Sequence, residues 1–201
     1  MSADHEITLD QLIGAYCQGF FPMAHPEEEN QIYWHKPEMR GIIPLDQFHI
    51  PKNLAKLYDK RPYSLWFDRD FEQTIRSCAE RETTWISEDI IQLYVQLHEL
   101  GLASSVEAWD QDELVGGLYG VVINKAFFGE SMFFKKTDAS KLCLVHLVKH
   151  LVENDFVLLD TQYINDHLRQ FGAIEIPGDK YEVLLQKAIV QTTEAHTELE
   201  E

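Results

Sequence analysis

The 201-residue sequence predicts an α+β fold in which helices pack on the faces of a sheet. Three observations predict it. Between 103 and 134, the strand-like runs ASSVEAW, ELVGGLYGVVI and AFFGESMFF follow one another across the short turns DQD and NK, the pattern of an antiparallel meander. That block gives way to a helix, a strand and further helical and extended segments rather than to more hairpins. A composition of 45% hydrophobic and 11% aromatic residues is enough for an ordinary core.

The elements follow in order. TLDQLIGAYCQG (8–19) reads as a short helix, capped by Thr8, with Leu9, Leu12, Ile13 and Tyr16 on one stripe and Gly19 ending it. FFPMAHPEEEN reads as a loop. IYWH and RGIIPL are short extended segments around Pro37, the expected boundary between an N-terminal appendage (1–36) and the main domain (37–191). Helices are predicted at 51–60 with Pro51 in the first turn, at 69–80, and at 88–100, where Ser87 caps and Gly101 stops the last. After the meander come a long helix at 139–154 opened by Asp138, the strand FVLLD, a helix at 164–171, the strand AIEI and a helix near 180–190.

The net charge of −17 sets up a field that opposes broad coating of nucleic-acid phosphates. Part of it sits in acidic runs at 27–29 and in an acidic, disordered-looking tail (192–201), both read as solvated. Cys17, Cys78 and Cys143 lie far apart with no CxxC pair, which suits a reducing cytosol rather than a disulfide framework or thiolate metal site. No apolar run approaches the roughly 20 residues of a membrane span, and MSADHEITLD lacks the features of a signal peptide. The expected location is cytoplasmic.

Against this acidic background, Lys52, Lys56 and Lys60 share one helical face and Arg61 adjoins them, a candidate phosphate contact. Gly116, Gly117 and Gly120 weaken their strand and mark a bulge or a close approach. In FFGESMFF, alternation places Phe128, Glu130 and Met132 on one face and Phe127, Gly129 and Ser131 on the other. A carboxylate in so apolar a strand needs water or a cation, and Asp160 is its expected neighbour across the sheet. LLDTQ ends a strand in an acid and an amide, Asp160 and Gln162. Hydrolase and nucleotide motifs are absent: there is no GxSxG, P-loop or GxGxxG. His146 and His150 form a helix-face pair, because Leu147 stands where a zinc HExxH needs glutamate.

The series LHELG, SSVEAW, DELVGGLYGV, FFGESMF, DASK, LLDTQ, DHL and FGA strongly resembles the leucyl/phenylalanyl-tRNA–protein transferases. Upstream, AYCQGFFPM, the pattern Trp34–Pro37–Arg40 and TWI around Trp85 extend the resemblance to about residues 10–190. It implies a small N-terminal subdomain packed on a GNAT-like domain, a mixed sheet flanked by helices as in the acyl-CoA N-acyltransferases. It also implies transfer of Leu or Phe, with Met as a third donor, from leucyl-tRNA or phenylalanyl-tRNA to proteins starting with Arg or Lys, marking them for degradation. No metal or coenzyme, no membrane and a monomer are implied.

The implied catalytic pair is Asp160 and Gln162. Gln162 orients the attacking amine through its amide oxygen, while Asp160 holds that geometry and bears the positive charge developing on nitrogen. Glu130 and Asp160 meet the cationic acceptor. Leu118, Phe127, Gly129, Leu144 and Leu159 form the donor side-chain pocket, Trp85 with Tyr94 a platform for the terminal adenine, and Ser131 and Asn165 further substrate contacts. Lys52, Lys56, Lys60 and Arg61 hold tRNA. On this reading Asp160→Asn loses rate with the fold intact.

Three departures touch substrate preference: the family commonly has histidines where Leu102 and Ser104 stand, and a tryptophan where Met23 follows the FP pair. The chain also starts later than longer members. Two alternatives fit less well. An acetyl-CoA-dependent acyltransferase is expected to carry a Gln/Arg-x-x-Gly-x-Gly/Ala loop, and FFKKTDASK before the long helix lacks it. A non-catalytic binder of basic protein N-termini has no use for Gln162 or the apolar pocket.

Overall fold

The computed structural model describes residues 7–25, 31–80, 84 and 86–190. The acidic run at 27–29, Trp85 and the tail from 192 lie outside the described residues. Thr8 caps α1 (Leu9–Cys17) through a reciprocal capping box with Gln11, and Gly19 takes a left-handed φ of +81° just past its end. The predicted loop is instead partly a strand: β1 (Phe21–His25) pairs antiparallel with β2 (Gln31–His35). Pro22 is tolerated there because both members of a two-stranded ribbon are edge strands.

Next come β3 (Met39–Ile42), a 3-10 turn (Leu45–Gln47), α2 (Lys52–Lys60), β4 (Ser64–Phe67), α3 (Phe71–Ala79) and α4 (Glu88–Glu99). Asp70 and Ser87 cap α3 and α4, accepting from the Gln73 and Ile90 N–H groups. The meander forms as expected from β5 (Ala103–Asp110), β6 (Glu113–Ile123) and β7 (Ala126–Phe134), and α5 (Ala139–Glu153) follows it. The chain then runs through β8 (Leu158–Gln162), α6 (Asp166–Arg169), β9 (Ile174–Pro177) and α7 (Gly178–Val190).

The main sheet has the order β4-β5-β6-β7-β8-β3-β9. Its neighbours are antiparallel except β7 and β8, whose α5 crossover brings the chain back in the same direction. The predicted mixed α+β sheet flanked by helices is thus present. One face packs under α1, α3, α4 and α7 through Leu12, Ile75, Tyr94 and Leu185. The other packs under α5 and α2 through Leu54, Leu142, Val145 and Leu151. A side chain at Gly116 would run into Ala139, so this glycine lets the start of α5 rest directly on β6. Truncating a side chain buried as deeply as Leu142 to alanine would cost about 2–5 kcal/mol. Among the described residues, no helix is long and apolar enough to cross a membrane.

Candidate active site

The parallel strands β7 and β8 pair from Ala126/Leu158 to Phe128/Asp160 and then part, although both continue. Just beyond that point each strand carries one extra residue. Against β6, Gly129 faces Gly120 and Ser131 faces Tyr119, which leaves Glu130 unmatched. Against β3, Asp160 faces Ile42 and Gln162 faces Gly41, which leaves Thr161 unmatched. Such bulges re-aim side chains and recur beside active sites. A glycine stands opposite each one. A side chain at Gly120 would strike the Phe128 carbonyl, and one at Gly41 would strike Thr161 and Ile164. The β7 bulge corrects the predicted alternation: Phe128 packs beneath α1 and α4, whereas Met132 packs on the α5 side.

Asp160 is wholly buried and fully engaged. Arg40 donates to it from Nε at 2.9 and 3.1 Å and from Nη2 at 2.7 Å. The Tyr181 hydroxyl and the Gln162 backbone N–H each donate to it at 2.7 Å. Arg40 is itself 1% exposed, lies between the Phe21 and Tyr181 rings, and donates from Nη1 to the Gly19 carbonyl at 3.0 Å. An ionised carboxylate offers about four lone-pair sites, and these donors fill them. Asp160 therefore anchors Gln162 but has no free direction in which to bear charge from a substrate. Asp160→Asn would strand a buried guanidinium, at about 3–5 kcal/mol. The expectation that this substitution spares the fold is corrected accordingly.

Gln162 has a φ of +63°, a left-handed backbone that disfavours a non-glycine residue by roughly 1–2 kcal/mol. Two restraints hold it there: the Asp160 bond to its N–H, and its own Nε2 donating to Glu130 Oε1 at 2.9 Å. Its Oε1 accepts no hydrogen bond among the described residues. Glu130 also receives the Tyr16 hydroxyl at 2.7 Å and the Tyr94 hydroxyl at 3.3 Å, while the two hydroxyls lie 2.6 Å apart. Two phenolic protons thus serve three oxygen–oxygen contacts, and a proton on Glu130 would complete the set.

The electrostatics agree with that geometry. Burial pushes the Glu130 carboxyl up to about 7; the Tyr16 hydrogen bond opposes the shift and the Asp160 charge adds to it. Burial, with the Glu130 charge beside them, also holds both tyrosines protonated well above the usual phenol range.

The other predicted site residues divide. Leu118, Phe127, Leu144 and Leu159 converge in the core on the α5 side. Gly129 lies where a side chain would approach the Asp160 carbonyl. A cavity of about 200 Å³ on the α5 side is lined by Ser104, Val122, Phe127 and Leu147, among others, so Phe127 is its one wall shared with the predicted pocket. Ser104 donates there to Asp68 at 3.0 Å. Tyr94 is corrected as a base platform: it is fully buried, packed edge-on against Tyr119, with its hydroxyl taken up at Glu130 and Tyr16. Ser131 sits in the β-ladder opposite Tyr119, and the Asn165 side chain caps α6 by accepting from the Leu168 N–H at 2.9 Å.

Lys52, Lys56, Lys60 and Arg61 are all exposed on α2 and at its end, beside the opposite edge of the sheet from β9. Leu102 and Met23 pack against the core beneath α1 and α4. His146 Nδ1 lies 2.8 Å from the Tyr58 hydroxyl, and His150 packs on Phe67. Among the described residues, no group of three side chains is placed to hold a metal ion.

Sequence reasoning missed the structural roles of Arg40, Tyr16 and Tyr181. The signal available was an arginine in the apolar run RGII and a tyrosine on an apolar helical stripe.

Comparison with known proteins gives this arrangement a class. A family model described as leucyl/phenylalanyl-tRNA protein transferase matches residues 42–186, and a model of that family's N-terminal domain matches residues 5–38. That description names a class, the transferases that act with aminoacyl-tRNA and protein. The chain belongs to the leucyl/phenylalanyl-tRNA protein transferase family. Among solved structures it is also similar to "The structure of L-PGS from Bacillus licheniformis", at 14% identity and a TM-score of 0.39. That similarity covers 80% of this chain and 55% of the other, so the chain spans about half the length of that protein, and the likeness is too distant to bear on the site.

Proposed function

We propose that this chain moves Leu or Phe, and Met as a third donor, from the 3′ end of charged tRNA onto the α-amino group of proteins beginning with Arg or Lys. The observation that carries this reading is the restraint on Gln162. It is fastened at its backbone to Asp160 and through Nε2 to Glu130, with Oε1 left open to accept a hydrogen bond from an incoming amine.

The reaction is aminolysis of an ester. The amine nitrogen bonds to the ester carbonyl carbon, the bond to the ribose oxygen breaks, and that oxygen leaves as a hydroxyl. An aminoacyl ester is already activated, so orientation contributes most, up to roughly 7–11 kcal/mol. The remaining need is a base for the proton that the neutral amine sheds as its nitrogen bonds to the carbonyl carbon. An α-amino group titrates near 7.7–8.0. Glu130, raised to about 7, lies close enough to that range to exchange a proton with it near neutral pH.

Arg40 neutralises Asp160, so Glu130 supplies the negative charge that meets a cationic acceptor. The apolar side chains around Phe127 suit the Leu or Phe of the donor, and exposed Lys52, Lys56, Lys60 and Arg61 suit tRNA phosphates.

The test is to incubate purified protein with radiolabelled leucyl-tRNA and peptides starting with Arg, Lys or Ala, then repeat with acetyl-CoA as donor. Transfer to the Arg and Lys peptides from the charged tRNA alone is expected. Label reaching none of them, from leucyl-tRNA or phenylalanyl-tRNA, would refute the reading.

A further inference from the structure

A groove of about 360 Å³ lies away from the strand tips, between the end of α2, the edge strand β4 and the outer flank of α5. Its lining includes Tyr58, Arg61, Tyr63, Leu65, Leu142 and His146. We infer that this groove binds a nucleotide of the tRNA body, the base stacked on the tyrosine rings and its phosphate on Arg61. The inference rests on the transfer reading above and adds to it a second, aromatic contact with the donor.

The chemistry of the lining selects the ligand. Tyrosine rings and a guanidinium line the same groove, a stacking surface beside a phosphate contact, the combination that holds unpaired nucleotides. Arg61 is exposed at the left-handed end of α2, with φ of 49° and ψ of 58°, and lines the groove there. The Lys149 ammonium lies 4.3 Å from the centre of the Tyr58 ring and adds positive charge beside it. Lys56 and Lys60 are exposed on the same helix, while Arg61, Glu153 and Asp59 are the charges that act on Tyr58. In a chain of net charge −17, Lys52, Lys56, Lys60 and Arg61 gather basic charge on and beside α2, complementary to phosphate.

Position argues for the body of the tRNA rather than its charged end. β4 and β8 are the first and fifth strands of the sheet, so they stand on the order of 19 Å apart at about 4.8 Å per strand. The terminal nucleoside cannot lie at Gln162 and in the groove at once. The groove and the apolar donor cluster both adjoin the α5 layer, because Leu142 lines the groove and Leu144 lies in the same core cluster as Leu159.

Two donors test the inference: leucyl-tRNA, and 3′-leucyl-adenosine, which keeps the reactive ester but lacks the tRNA body. Tyr63→Ala is expected to raise KM for leucyl-tRNA roughly tenfold, from the loss of one base stack. It should leave kcat and transfer from leucyl-adenosine as in wild type, and Tyr63→Phe, which keeps the ring, should behave like wild type with both donors. The dissociation constant for uncharged tRNA should rise by the same factor in Tyr63→Ala. An unchanged KM for leucyl-tRNA, equal losses on both donors, or a rise in KM for the peptide acceptor instead would overturn the assignment. Wild-type protein inert with both donors would sink the transfer reading, and uncharged-tRNA binding would then decide the groove by itself.

Discussion

The tip of β8 and the bulge of β7 each hold a carboxylate in one hydrogen-bonded network, and they surround it oppositely. Asp160 faces a buried guanidinium; Glu130 faces neutral donors, two phenols and an amide. A buried counter-ion holds the acid in place through paired hydrogen bonds and makes it an anchor. Neutral donors leave desolvation uncompensated, so the acid titrates near neutrality. The same side-chain chemistry thus yields a structural pin on one strand and a proton acceptor on the next.

The sharpest way to break that contrast is Glu130→Gln. Transfer to an Arg-starting peptide is expected to fall by about 10²–10⁴-fold, the usual contribution of a general base. Its stability should respond in the opposite sense. Native Glu130 keeps its proton up to about pH 7, whereas the unfolded chain releases it near the ordinary value of 4.5. Between those values the native state binds more protons, so stability falls as pH rises and the loss is complete above 7. Denaturant titrations at several pH values should show wild type losing about 1–3 kcal/mol, relative to Glu130→Gln, from acid to mildly alkaline pH.

On the other strand, Asp160→Asn should lower stability by about 3–5 kcal/mol, equivalent to a drop in Tm of roughly 10 °C, by leaving Arg40 buried without its partner. Asp160→Asn thus reports on folding, whereas Glu130→Gln reports on chemistry. Gln162→Ala is expected to cut kcat about 100-fold through lost orientation, with a smaller change in KM for the peptide. Tyr16→Phe should have the least effect. Deleting a donor that steadies the Glu130 anion moves the acidic limb of activity to higher pH and slows transfer by up to about tenfold at pH 7.

The sequence makes the scaffold readable where periodicity is long. The meander, α5 and the apolar run leading into Asp160 and Gln162 are each dictated by several turns or alternations. β4 escapes because four residues at a sheet edge, with Trp66 in water, show too little alternation. The bulge at Glu130 escapes because an extra residue reverses the facing of everything after it without changing composition. Arg40 and Asp160 are separated by 120 residues, and only the insertion of β3 between β8 and β9 brings them together. The catalytic candidates could be picked out along the chain; the counter-ion that sets their different roles could not.

The most direct test of the central claim, that Glu130 takes up the acceptor's proton, is the pH dependence of kcat/KM for the Arg-starting peptide, compared between wild type and Glu130→Gln from about pH 5.5 to 9. Two ionisations should shape the acidic limb of wild type, one near 7 from Glu130 and one near 8 from the peptide amine, so its slope steepens below 7. Glu130→Gln should retain only the amine's limb, with unit slope and a far lower plateau. Limbs of the same slope and midpoint, with similar plateaus in both proteins, would contradict the account.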